Sequence, residues 1–367
     1  MIATEIGTGD GLGNQLFRYI TLRCMALDHG MDWGIVGSET MANNMHSSCG
    51  LYFMDLDYGK EVPKEQMKRY NEREDRIYIG NSRHDLTHGC YVTGVDEKLL
   101  HPEENTLYWG NMQAERYYIR HKEEIREWLK VKEEYDCKEF SRDNLCILHL
   151  RCSDYLDCPE LYLRKKYWMD GIRNMKKLRP DMEFMIITND VKEASRILPG
   201  IPAYNFDLAK DYSIIKNAKY LLLANSSFAY FPAFTSTTVQ YIIAPKYWAR
   251  HNVSNGYWAS EQNIYDGWHY QDRKGKVFTS EECRRELEQY KETSVFYKKL
   301  NEMNQNLQML VHEKYEMMIQ KRDTEIMSLN IQMNPHFLYN SLNIINWVCL
   351  KGCLLYTSDA ADDRISV

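Results

Sequence analysis

The sequence predicts an open α/β fold, on three observations. Largely apolar stretches at Leu145 to Leu148, Met182 to Ile187 and Tyr220 to Ala224, interrupted only by Glu183, have the length and character of buried strands. Small or polar residues follow each run, and a helical pattern comes next. Near the amino terminus, Thr8 to Phe17 sets Gly9, Gly11 and Gly13 ahead of a helix running through Tyr19, Leu22, Met25 and Ala26.

The stretch Asn144 to Tyr155 organises the rest. Its apolar run delivers His149, Arg151 and Asp154 at the carboxyl end of a strand, where open α/β sheets bind ligands. A guanidinium there suits a phosphate group, because its planar fork donates two parallel hydrogen bonds and keeps its charge. A diphosphate fits best. The plain alternative is that His149 and Arg151 only tie down the end of a core strand, since structural ion pairs crowd such positions too.

A chain of 367 residues has room for about two domains, and 44% apolar residues supply real cores. A net charge of -6 gives no global attraction to nucleic acid, which is an unexpected partner. Met1 to Thr8 shows no leader pattern, and no eighteen apolar residues run uninterrupted, so a soluble cytoplasmic protein is expected. Its ten cysteines then read as reduced thiols. The spacing of Cys146, Cys152 and Cys158, like that of Cys349 and Cys353, suits no zinc site, and no metal is expected.

Along the chain, the glycines before Asn14 and Gln15 let backbone N–H groups approach an anion at a helix start, or simply make a tight turn. From Trp33 to Val131 short apolar pieces mix with aromatic segments such as Tyr108 to Gln113, which suit an acceptor sugar as well as they suit ordinary core; a helix is expected from Ala114. The charged run Lys132 to Asp143 reads as a solvated connection between two halves. Helical spacing covers Tyr162 to Leu178. The strand ending at Ile187 presents Thr188, Asn189 and Asp190; an acid or amide there recognises a base edge or caps the helix from Val191. Asp211 to Asn217 is a helix candidate before the strand Tyr220 to Ala224. Ser226, Ser227 and Phe228 follow at a helix start suited to phosphate. A strand over Gln240 to Ala244, an aromatic loop to Trp268 and a helix over Glu281 to Tyr290 close the region.

Four blocks together resemble the motifs of bacterial α-1,2-fucosyltransferases of glycosyltransferase family 11: Gly11 to Phe17, His149 to Tyr155, Ile187 to Asp190 and Asn225 to Phe228. The likeness covers roughly residues 1 to 292. Cys152 and Ser153 stand where the family usually has Arg and Gly, and Tyr230 and Phe231 where it usually has tryptophan. The resemblance implies a GT-B-like fold of two Rossmann-like lobes, 1–140 on the acceptor side and 141–292 binding GDP-fucose. It also implies inverting transfer of fucose from GDP-β-L-fucose to the 2-hydroxyl of a galactose-containing glycan, with no metal or other cofactor. Carried over, Arg151 takes the β-phosphate, Ser226, Ser227 and Phe228 line the donor, and Asn189 or Asp190 meets guanine or ribose. Gly11, Gly13, Asn14 and Gln15 line the opposite wall. His149 contacts phosphate or ribose and Asp154 orients Arg151, or either assists deprotonation of the acceptor. Surface-polysaccharide assembly at the inner membrane face follows from family habit.

Beyond Lys291 the character changes. Leu300, Met303, Leu307 and Leu310 keep a three-four spacing, which predicts a long amphipathic helix and self-association through about 300–333. The box Gln332 to Leu342 resembles the phosphoacceptor segment of LytS-type sensor histidine kinases, with His336 as the imidazole. Too few residues follow for an ATP-binding domain, so autophosphorylation is not expected. The region 293–352 reads as a kinase-like helical fragment. Residues 353–367 resemble translated adapter sequence and are expected to be a spurious or disordered tail, which makes the chain a chimera of two gene pieces. Two competing classes stand beside the transferase: a signalling protein working through His336, and a related protein O-fucosyltransferase.

Overall fold

The computed structural model describes residues 1–7, 9–42, 51–73, 75–77, 90–92, 94–254, 258, 260–293, 295–332 and 335–362. Thr8 of the glycine-rich turn and Met333 and Asn334 of the histidine box lie outside them. The chain forms two compact units, Met1–Thr293 and Ser294–Val367.

The first unit opens with β1 (Ile2–Glu5), α1 (Leu12–His29) and β2 (Trp33–Val36), and continues through β3 (Lys68–Asn71), β4 (Asp75–Ile77), β5 (Cys90–Val92) and β6 (Thr106–Trp109). Four of these strands form a parallel sheet in the order β2-β1-β6-β3, while β4 and β5 make a separate antiparallel pair. Helix α1 buries Leu16, Phe17, Ile20 and Leu22. Gly30 ends it in the left-handed conformation (φ 61°), donating back to Ala26 and Leu27.

The helix expected from Ala114 is instead broken into turns at Glu115–Tyr117 and Ile119–His121 before α2 (Lys122–Trp128). The run Lys132 to Asp143 is not merely solvated. Cys137 N–H donates to Ser213 Oγ at 2.7 Å, and Asp136 Oδ1 accepts from Asn217 at 2.8 Å and Lys216 at 3.2 Å, so the run is packed down by polar contacts.

Next come β7 (Leu145–Leu150), α3 (Lys165–Leu178), β8 (Glu183–Thr188), α4 (Val191–Ile197), β9 (Ala203–Tyr204), α5 (Leu208–Asn217), β10 (Tyr220–Leu223), α6 (Tyr230–Thr235), β11 (Tyr241–Pro245), β12 (His269–Gln271), β13 (Val277–Thr279) and α7 (Ser280–Thr293). The second sheet runs β13-β12-β11-β10-β7-β8-β9, parallel except for the β12–β13 pair. From β9 to β12 its strands rank 3-2-1-4-5-6 in chain order, the doubly wound arrangement of dinucleotide-binding sheets. One apolar cluster joins Phe17 of α1 to Tyr230 and Phe231 of α6 and to Leu221 of β10, so both sheets share a core.

The second unit consists of α8 (Val295–Gln332) and α9 (Pro335–Asp362). On α8 the predicted apolar positions Met303, Leu307 and Leu310 are all exposed in the single chain. Helix α9 takes in Cys353 to Asp362 of the expected tail; residues 363–367 lie outside the described residues. No helix among the described residues is long and apolar enough to cross a membrane.

Candidate functional site

Strand register assembles the site. In β7 all six residues are buried, and it lies between β8 and β10, with His149 opposite both Ile187 and Leu223 and Leu150 opposite Thr188. The three strands therefore end at one level, and Arg151, Asn189 and Asn225 emerge side by side. The winding of the sheet reverses between β7 and β10, and the carboxyl ends flanking such a reversal form the ligand crevice of open α/β sheets.

Arg151 is braced there. Its Nε donates to Asp154 Oδ1 at 2.9 Å and its Nη2 to Oδ2 at 3.0 Å, a two-pronged charged pair within one turn of chain. Asn189 holds that turn: its Oδ1 accepts from Cys152 N–H at 2.9 Å, and its Nδ2 donates to Ser153 Oγ at 2.6 Å and to Asp154 Oδ1 at 3.1 Å. Asn189 thus braces the turn whose Asp154 holds Arg151. The Arg151 side chain keeps 19% of its surface exposed and Asp154 31%, so the pair is reachable from solvent.

His149 is different. It is only 4% exposed, and burial, with the positive Arg151 beside it, brings its imidazole down to about 3. Its Nδ1 is buried without a hydrogen-bond partner among the described residues. The ring lies 5.6 Å from that of Phe228, centroid to centroid. Buried beside Arg151, the imidazole is held in its neutral form and packs against Phe228.

Ser226, Ser227 and Phe228 lead from the end of β10 into α6. Phe228 packs between His149 and Tyr212, at ring distances of 5.6 and 6.2 Å, which fixes the loop over the end of β7. Just before the serines, Asn225 Nδ2 donates to Leu161 O at 3.1 Å and its carbonyl accepts from Tyr155 O–H at 3.2 Å.

Across from this loop stands the start of α1. A Cβ on Gly13 would lie 2.3 Å from the Ser227 carbonyl carbon and 2.6 Å from Phe228 N, so only glycine lets the two walls touch there. Gly11 caps the helix with extended backbone, its carbonyl accepting from Asn14 N–H at 3.0 Å and Gln15 N–H at 3.2 Å. Asn14 Oδ1 accepts from Gln113 Nε2 at 3.1 Å.

Two of the residues expected at the donor also bond to the backbone. Gln15 is fully buried, and its Oε1 accepts from Ala42 N–H at 2.7 Å, holding Ala42 at a φ of 62°, costly for a residue with a Cβ. Asp190 caps α4, its Oδ1 accepting from Glu193 N–H at 3.0 Å.

Two residues escape the sequence reading. Arg18 donates to Asp10 Oδ2 at 2.6 Å and to the Gly110 carbonyl at 2.7 Å, and lies 3.9 Å over the Trp109 ring, so it pins the glycine-rich turn. Asp211 is the other. Burial raises its carboxyl to about 7, against one opposing hydrogen bond, from Phe206 N–H at 3.3 Å. The available signal was redundancy: Asp207 already caps α5 through Lys210 N–H, so a second acid one turn on is not needed for capping. Asp211 follows the carboxyl end of β9, on the same edge of the sheet as Arg151.

A cavity of about 520 Å³, lined in part by Ala114, Glu115, Gln262, Asp266 and Arg284, lies away from these strand ends. Its charges are partly spent internally: Glu115 accepts from Tyr230 O–H and Asp266 N–H, and Arg284 pairs with Asp266. The braced cation at the β7–β10 crevice is therefore the stronger candidate.

In the second unit, Asn340 Nδ2 and His336 Nδ1 are 3.1 Å apart on the exposed surface of α9.

Fold and site together define a doubly wound α/β protein with an anion-suited crevice at its switch point. Over 273 residues the chain is 22% identical to the α-1,2-colitosyltransferase of Escherichia coli, an alignment covering 67% of this chain and 92% of that protein. The Histidine kinase family model matches residues 324–362. Among solved structures, the fucosyltransferase NodZ from Bradyrhizobium is similar with 12% identity and a TM-score of 0.38, covering 66% of this chain and 94% of that one. POFUT1 in complex with GDP-fucose is similar with 10% identity and a TM-score of 0.38, covering 66% and 96%.

Proposed function

We propose that the first unit is an inverting glycosyltransferase that moves L-fucose from GDP-β-L-fucose to the 2-hydroxyl of a galactoside in a surface glycan. The observation that carries this is the convergence of the braced Arg151 and the Ser226–Phe228 loop at the switch point, against the wall formed by Gly11 to Asn14. The similarity to a colitosyltransferase supports sugar transfer as the class.

In this reading the acceptor hydroxyl oxygen attacks the anomeric carbon as the bond to GDP breaks, its proton passes to water or to the departing phosphate, and negative charge grows on the leaving diphosphate. Arg151 meets that charge and reaches it without reorganisation, because Asp154 and Asn189 already fix its plane. Hydroxyl and backbone donors of Ser226 and Ser227 take the remaining phosphate oxygens. No metal is assigned a role. Asp211 is the candidate for reading guanine, whose N1–H and N2–H donors match the two oxygens of one carboxylate.

The kinase-family match at residues 324–362 favours a second, separate role for the helical unit, with His336 accepting a phosphoryl group from a partner and α8 associating with its own copy. Work at the inner face of a membrane belongs to the first reading.

The test is direct: purified protein with GDP-fucose, lactose and EDTA, in the absence of ATP, is expected to yield a fucosylated product by mass, heavier by one deoxyhexose. Binding of GDP with neither transfer nor hydrolysis of GDP-fucose counts against the catalytic reading.

A further inference from the structure

Three side-chain amides from three separate elements are joined in series beside the crevice. Asn14, in the first turn of α1, accepts from Gln113 Nε2 at 3.1 Å; Gln113 Oε1 accepts from Asn263 Nδ2 at 3.3 Å; Asn263 Nδ2 also donates to Tyr265 O–H at 3.2 Å. All three are half-buried. The series starts one residue from Gly13, where an added Cβ would collide with the Ser227 carbonyl, so it stands on the wall facing the phosphate-suited loop.

The backbone around the relay is fixed. Met112, held at a φ of 50°, donates its N–H to Glu72 at 2.7 Å. The Gln113 carbonyl accepts from Tyr118 O–H at 3.3 Å, and the Asn263 carbonyl from Tyr270 O–H at 2.8 Å. A plain turn does not need three amides polarising one another. Among the described residues the two ends are without partners: the Asn14 amide N–H groups offer a donor and Asn263 Oδ1 an acceptor. Neutral amide ends, one donating and one accepting, suit the hydroxyls of a sugar better than they suit a phosphate.

We propose that Asn14, Gln113 and Asn263 form a relay that reads one ring hydroxyl of the transferred sugar and makes the crevice selective against the analogue lacking that hydroxyl. This rests on the transferase reading above. A site that hydrogen-bonds a substrate hydroxyl loses those bonds when the hydroxyl is missing, and so discriminates between the two sugars.

The experiment compares wild type, Gln113→Leu and Asn263→Ala, first for GDP affinity by calorimetry. It then compares kcat/KM with GDP-fucose and with GDP-linked 2-, 3- and 4-deoxy analogues; the 3-deoxy analogue is colitose. Wild type is expected to lose at least about 100-fold on one analogue. Both variants are expected to lose a similar factor on GDP-fucose, to lose nothing further on that analogue, and to keep GDP affinity within about twofold. Losses that simply multiply, variants that turn over GDP-fucose normally, or a wild type indifferent to every deoxy analogue overturn the relay. If Gln113→Leu fails to fold, Asn263→Ala decides. A wild type that does not bind GDP instead refutes the transferase reading.

Discussion

The end of β7 and the start of α9 each carry one sequence block with a chemical look, and the structure treats them oppositely. Arg151 is braced by two bonds to Asp154, and Asn189 braces Asp154 in turn, at a point where three strand ends share one level. His336 rides an exposed helix, within 3.1 Å of Asn340 one turn on. Preorganisation separates the two. A group whose position is fixed before the ligand arrives stabilises a developing charge without reorganising, while an exposed imidazole needs a partner to bring both substrate and geometry.

The largest effect that sharpens this contrast is expected from Arg151→Ala. Transfer of fucose should fall by at least about 100- to 1000-fold, on the order of 3 to 4 kcal/mol of barrier, with the thermal midpoint little changed. Unchanged turnover removes Arg151 from the mechanism.

Next comes Asn189→Ala. Freed from its tie, the Cys152–Asp154 turn should leave Arg151 misaligned and lower kcat by about tenfold, with GDP affinity affected less. An equal loss in both makes Asn189 a donor contact after all.

Asp211→Asn tests the half-buried acid in two ways. Its folded carboxyl is raised to about 7 from an ordinary value near 3.8, so the wild type gains from protonation at low pH and loses that gain as pH rises through 7. The amide carries no charge. It should therefore stabilise the protein at pH 8, by at most about 4 kcal/mol, and make little difference at pH 4. If Asp211 reads guanine, the same variant should also bind GDP about tenfold more weakly. Stability gained with GDP binding intact makes Asp211 a strained core residue only.

The smallest effect is the other half of the comparison: His336→Ala should leave fucose transfer unchanged, by initial rates. A loss of transfer there breaks the separation of the two units.

Legibility in the sequence followed local simplicity. The strands at Leu145–Leu150, Glu183–Thr188 and Tyr220–Leu223 were readable because each holds four consecutive apolar residues. β1 was missed because Ile2–Glu5 is four residues long with Thr4 and Glu5 among them, too short for a period to show. The glycine at position 13 was visible, but its reason, contact with Ser227, is tertiary. Gln15 and Asp190 looked like binding groups because amides and acids serve ligands and backbone alike; only the partners Ala42 and Glu193 separate the two uses. The joining of Asn14, Gln113 and Asn263 across the chain has no local signature at all.

The most direct measurement is a crystal structure of the protein with GDP. The diphosphate is expected between the Arg151 guanidinium and the Ser226–Ser227 loop, with the base toward Asp211. Nucleotide bound elsewhere, with Arg151 still engaged only by its own chain, contradicts the account.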